Sequence, residues 1–228
     1  MSATALPSTV DGPAAFERQF NVSRETVAKL VTYADLLKHW QKTINLVAPG
    51  TLDAVWHRHM SDSAQLLALA PPGAKTWLDL GSGAGFPGLV LAILLSERPG
   101  VRVTLVESDT RKAAFLREVA RQVGLGPSGA APVVDICHAR IELASTQGRV
   151  GPVDVVTARA LAPLPKLLGL CQPFCGPQTV ALLLKGREAE REVDEARASW
   201  RFESQLVPSL TDADARIAVI TKLQAHGP

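Results

Sequence analysis

The stretch from Trp77 to Gly88, WLDLGSGAGFPG, constrains the chain more than any other. A short apolar run ends in an acid and four glycines, the pattern of a strand that stops at a tight turn before a helix. The glycines admit two registers. From Gly83 they spell G-x-G-x-x-G, a loop that cradles a pyrophosphate on a helix N-terminus. From Asp79 they spell D-x-G-x-G-x-G, through Gly81, Gly83 and Gly85, and that register adds a carboxylate at the mouth of the loop.

The rest of the chain supplies a sheet for this turn. After Pro72, short β-branched segments alternate with helical ones. Strands are expected at 76–80, 101–107, 133–139, 153–159 and 179–185, then at 203–210 and 215–223. Helices are expected at 86–97, 110–124, 163–174 and 187–199. The alternation predicts an α/β fold with a mostly parallel seven-stranded sheet, its last two strands forming an antiparallel edge hairpin. Before it, Ser23 is placed to cap a helix running to about Asn45, and residues 51–70 read as a second helix ending at Pro71-Pro72-Gly73. The expected organisation is a flexible tail over 1–22, a helical cap over 23–72 and one catalytic domain over 73–228.

Composition narrows the class. With 228 residues there is room for one such domain and a modest extension, and a net charge of +2 does not announce a nucleic-acid binder. The apolar run Gly88 to Leu95 falls short of the roughly 18 residues of a membrane span. The first dozen residues lack the basic start and apolar core of a secretion signal, so a cytoplasmic address with no membrane partner is expected. Cys137, Cys171 and Cys175 read as buried thiols, and no metal site is expected.

In open α/β sheets, ligands bind beyond the carboxyl ends of the parallel strands. Polar residues gather there: the glycine loop, Glu107-Ser108, Arg140-Ile141-Glu142, Arg159, and Lys185-Gly186-Arg187. Glu107, ending the second strand, is placed to accept both hydroxyl protons of a ribose. Asp79 then decides between nucleoside ligands. Its carboxylate repels a pyrophosphate but favours S-adenosylmethionine, which carries a sulfonium and an ammonium group and no phosphate. The expected cofactor is therefore S-adenosyl-L-methionine. A nicotinamide-dependent oxidoreductase and a non-catalytic nucleotide-binding regulator remain as rivals.

Five motifs, in order, resemble one family. HRHMSDS (57–63), the glycine loop, RKAAFLREV (111–119), TARA (157–160) and ALLLKG (181–186), preceded by YADLLKHWQKTINLV (33–47), are similar to the glucose-inhibited division protein B family, also called ribosomal RNA small-subunit methyltransferase G. Gln41 departs from the asparagine common there. The resemblance implies a Rossmann-like class I methyltransferase that methylates guanine N7 in a loop of bacterial 16S ribosomal RNA near the decoding centre. It also implies cofactor contacts from Gly81, Phe86, Glu107, Ser108, Ile141, Glu142 and Arg159, beside the Asp79, Gly83 and Gly85 already named. A small-molecule methyltransferase would share this cofactor half.

Guanine N7 bears a lone pair and no proton, so no general base is expected. Arginine commonly grips guanine N7 and O6 together, which here would cover the reacting atom. Arg159 or Lys185 is therefore expected to position the substrate through O6 or a phosphate. Basic clusters at His57, Arg58 and His59, on the helix bearing Arg111, Lys112, Arg117 and Arg121, and at Lys185 and Arg187 are the expected contacts to 16S ribosomal RNA or a small-subunit precursor, bound by a monomer. The acidic run 188–195 is expected to face away from RNA.

Overall fold

The computed structural model describes residues 9–126 and 133–226. Seven strands are described: β1 (Thr76–Leu80), β2 (Arg102–Glu107), β3 (Val133–His138), β4 (Val153–Arg159), β5 (Cys175–Lys185), β6 (Trp200–Pro208) and β7 (Arg216–Ala225). They form one sheet in the order β3-β2-β1-β4-β5-β7-β6. β1 to β5 run parallel, and β7 pairs antiparallel with both β5 and β6. The expected sheet and edge hairpin are thus present.

Successive residues of each strand feed opposite cores, as the two-residue period requires. Trp77, Val103, Leu105, Val155 and Leu182 pack on the face that carries helices α2 (Arg24–Trp40), α4 (Gly88–Leu94) and α5 (Thr110–Gln122). Leu78, Leu80, Val106, Val156 and Leu183 pack on the face that carries α7 (Leu164–Cys171) and α8 (Ala189–Ala196). The strand order reverses on either side of β1, so its carboxyl end opens at the switch point where a ligand crevice forms.

Four local departures from the expected outline have physical causes. The tail expected over 1–22 contains a helix, α1 (Pro13–Phe20), which starts on a proline and buries Phe16 against Phe20 and Trp56 at ring-centroid distances of 4.6 and 5.6 Å. Residues 1–8 of that tail lie outside the described residues. Helix α2 has its expected cap, the Ser23 hydroxyl accepting from the Thr26 amide at 3.2 Å, but ends at Trp40 rather than Asn45. Gln41 ends it: its side-chain oxygen takes the Leu46 and Val47 amides, both at 3.0 Å, and its amide nitrogen donates to the Val47 carbonyl at 2.8 Å.

The stretch 51–70 is not one regular helix. A π-helical turn over Trp56–Ser61 leads into a short α3 (Asp62–Ala64) and a 3-10 segment over Gln65–Leu69. The Ser61 hydroxyl donates to the Trp56 carbonyl five residues back and that of Ser63 to the His59 carbonyl, both at 2.7 Å, holding the widened turn. A further helix, α6 (Ala144–Val150), falls where none was expected, because ASTQGRV is poor in helix formers.

Candidate active site

The glycine loop is built by close approach. Gly81 and Gly85 have φ of +65° and +92°, and a Cβ at Gly81 would sit 2.6 Å from a Leu161 methyl. At Gly85 it would sit 2.6 Å from the Tyr33 hydroxyl. Tyr33, fully buried in the cap helix α2, donates a short hydrogen bond to the Ala84 carbonyl, so the cap holds the loop directly. Tyr33 was not foreseen from the sequence, where it reads only as one apolar member of a helical stripe.

Glu107 supports the loop from the next strand. Its Oε2 accepts from the Gly83 amide and its Oε1 from the Asp109 amide, each at 2.7 Å. Gly81, Gly83, Glu107, Ser108, Ile141 and Glu142 line one cavity of about 310 Å³, which brings together six of the expected cofactor residues. Lys112, placed with the RNA contacts on sequence grounds, lines this cavity too, as do Arg140, Leu161 and Lys166.

Asp79 corrects one expectation. Its carboxylate does not stand at the mouth of the loop; it is 1% exposed and lies beneath it. Oδ1 accepts from the Thr157 hydroxyl at 2.8 Å, tying β1 to β4, while Oδ2 is buried with no hydrogen-bond partner among the described residues. A Cβ on Gly88 would meet Oδ2 at 2.7 Å, so the glycine that opens α4 is what lets the carboxylate fit. Burial raises the carboxyl from 3.8 to about 6, with polar neighbours and Arg159 pulling it back. A cation in the cleft would feel this charge through space rather than by contact.

A pH dependence follows. The folded-state value lies above the ordinary one, so the folded chain holds the proton more tightly than the unfolded chain does. The Asp79 contribution to stability is therefore greatest below about pH 4 and falls as pH rises through about 6, by roughly 3 kcal/mol in all. Asp79→Asn should remove that slope. Urea unfolding of both proteins across this range checks it, and parallel curves would count against the assignment.

A second cavity, of about 330 Å³, is lined by Arg58, His59, Asp62, Arg159, Lys185 and Glu192, among others. Three ion pairs ring it: Arg58 with Asp212 at 3.0 Å, Arg159 with Asp62 at 3.4 Å and Lys185 with Glu192 at 2.6 Å. Arg159 and Ala160 face this cavity whereas Leu161 and Ala162 face the first, so the last residue of β4 and the three that follow it form the wall between the two. Lys185 does not end its strand in solvent. Its ammonium donates to the Ala162 carbonyl at 3.0 Å, and its partner Glu192 also accepts from the Leu164 amide at the start of α7. The acidic run therefore does not wholly face away, because Glu192 reaches into the site.

Arg159 is the most constrained of the cations. Its Nη1 donates to His59 Nδ1 at 3.0 Å and to the Arg58 carbonyl at 3.3 Å, and its guanidinium lies 5.0 Å from the Phe86 ring centroid. Phe86 stacks on Tyr33 at 5.2 Å and on His59 at 4.8 Å, both nearly parallel. Phe86 thus lines neither cavity and serves as the packed floor under Arg159. Burial, with help from Arg159 and Arg58, lowers His59 from 6.5 to about 3. The ring is neutral, its Nδ1 accepts from Arg159, and Nε2 carries the proton shared with the Thr51 hydroxyl at 2.8 Å.

The remaining expected RNA contacts are dispersed. His57 Nδ1 accepts from the Val10 amide at 3.3 Å, Arg121 pairs with Glu118 at 2.8 Å, and Arg187 lies 4.0 Å from Asp214. Arg111 and Arg117 are exposed on α5.

Known proteins resemble this chain over nearly its whole length. The family model described as rRNA small subunit methyltransferase G matches residues 26–218. A ribosomal RNA small subunit methyltransferase G of Parvibaculum lavamentivorans is 49% identical, covering 97% of this chain and 93% of that one. The protein of the same name from Rhodospirillum centenum is 47% identical over 100% of this chain and 98% of its own. Among solved structures, an O-methyltransferase from Bacillus cereus in complex with SAH superposes with a TM-score of 0.56 at 16% identity, covering 84% of this chain and 91% of that one, a likeness of fold. On the family model and these relatives together, the chain belongs to the rRNA small subunit methyltransferase G family.

Proposed function

We propose that the chain methylates N7 of a guanine in 16S ribosomal RNA, using S-adenosyl-L-methionine. The observation that carries this reading is the pair of cavities separated by the Arg159 to Ala162 wall, one with a carboxylate for a ribose and the other ringed by three ion pairs that bring Arg58, Arg159 and Lys185 to its rim. The cofactor, when bound, supplies an electrophilic methyl group on a sulfonium. The residues of the first cavity suit it. The two Glu107 oxygens each hold one amide and keep further lone pairs for hydroxyl donors, and the buried Asp79 carboxylate, only partly offset by its polar neighbours and Arg159, adds negative charge under the loop.

The residues of this chain then orient and shield rather than move protons. Tyr33 and Glu107 fix the loop, while Phe86, His59 and Asp62 fix Arg159 between the cavities. Alignment of this kind supplies up to roughly 7–11 kcal/mol in favourable cases. Arg159 is the basic residue proposed to position the base through O6 or a phosphate. Lys185, held by Glu192, shapes the cavity instead. Arg58, Arg111, Arg117 and Arg187 are the proposed phosphate contacts, which makes binding strongly salt dependent. The same reading has the protein act in the cytoplasm as a monomer; no helix among the described residues is long and apolar enough to cross a membrane.

Transfer of labelled methyl to deproteinised 16S RNA from cells lacking the protein, with the modified nucleotide mapped, tests the proposal. Methyl appearing on guanine N7 supports it. Label in no RNA but in a small molecule would replace it.

A further inference from the structure

Cavity chemistry goes further than the transfer step. Methylation at N7 leaves open how the enzyme recognises guanine, because O6 and phosphate contacts alone do not read the edge that distinguishes guanine most fully. Guanine presents two kinds of donor on its Watson–Crick edge, N1–H and the exocyclic N2 amine, and a carboxylate is their natural acceptor. Three carboxylates line the second cavity: Asp62, Glu192 and Asp212.

Two of them hold other partners, Asp212 through both oxygens and Glu192 through Oε2 alone, and neither bonds to Arg159 among the described residues. Asp212 accepts from Arg58 at 3.0 Å and from the Asp214 amide at 3.0 Å on an exposed turn. Glu192 Oε2 serves both Lys185 and the first amide of α7. Asp62 is different. Its Oδ1 is filled by two neutral donors, the Thr211 hydroxyl and the Gln65 amide, both at 2.9 Å. That anchor is itself braced, since Gln65 Oε1 accepts from the Leu210 amide at 2.8 Å and its nitrogen donates to the Ser209 hydroxyl at 3.1 Å. Oδ2 by contrast has one partner among the described residues, Arg159 Nη1 at 3.4 Å, a long contact that leaves acceptor capacity beside the wall between the cavities.

We infer that Asp62 is the guanine-reading residue, its Oδ2 accepting from the Watson–Crick edge of a base drawn into the second cavity. The inference rests on the proposed function. In the transfer the S–C bond breaks, the N7–C bond forms, and no proton moves. Positive charge therefore passes to the purine, making its N–H groups better donors. A carboxylate fixed at that edge binds the transition state more strongly than the ground state.

The test uses the full chain and RNA carrying guanosine, inosine or 1-methylguanosine at the target position, read as single-turnover methyl transfer. Inosine lacks the N2 amine and 1-methylguanosine lacks N1–H, while both keep N7. The wild-type protein should lose on the order of tenfold or more with each. Asp62→Asn should be slow with guanosine yet treat inosine within about twofold of it, whereas Glu192→Gln should keep the inosine penalty. A wild-type protein indifferent to both analogues would overturn the assignment whether or not Asp62→Asn folds, and so would an undiminished inosine penalty in Asp62→Asn. Failure to methylate even the guanosine RNA would instead overturn the proposed function, so the two failures are distinct.

Discussion

Arg159→Ala is expected to cut single-turnover methyl transfer on the order of 100-fold or more at saturating RNA, while leaving the chain folded. One nitrogen of this side chain spans the His59 ring, the Arg58 carbonyl and Asp62, and its plane covers Phe86, so its removal frees three elements that it aligns at the wall between the cavities. A second readout separates lost alignment from general damage. Arg159 is the second cause of the depressed His59 value and burial the first, so the His59 titration should move upward in the variant yet stay below 6.5. Proton NMR of the histidine ring reports this. An unchanged rate, or a His59 that does not move, would count against the arrangement.

Gly85→Ala should be the most damaging single methyl group in the glycine loop, costing roughly 3–5 kcal/mol of stability. Two penalties add: a backbone at φ +92°, and a Cβ 2.6 Å from the Tyr33 hydroxyl and 2.7 Å from Leu89. The second forces Tyr33 off the Ala84 carbonyl and so parts the cap from the loop. Gly83→Ala is the natural contrast. At φ +56° its Cβ meets only a carbonyl oxygen at 3.8 Å, so the cost should be nearer 1 kcal/mol. Chemical denaturation of the two variants side by side decides this, and equal losses would refute it.

These positions also show what could be read in advance. The parallel strands and the residues at their ends were legible because both faces of the sheet are buried, giving dense β-branched runs cut by polar breaks. Hence Glu107, Ser108, Ile141 and Glu142 were foreseen, and they meet in one cavity. Asp79 was recognised as important but misplaced, since spacing says which residue ends a strand and not whether a following helix will cover it. Partnerships across the fold left no local trace. Lys185 with Glu192 and Arg159 with His59 depend on loops folding back over the sheet rim, and Tyr33 meets Ala84 only once the cap is docked. Asp62, five residues after His57 in a recognisable motif, gave no sign that its anchors would come from the turn between β6 and β7.

The solitary oxygen under the glycine turn has a physiological corollary. A chain that buries a carboxylate beneath its ligand cleft grows sturdier whenever a positively charged nucleoside settles above it, and does so less for an uncharged analogue. Heat tolerance in the cell would then track methyl-donor supply, so that starvation for the donor thins the enzyme's population before any change in its synthesis.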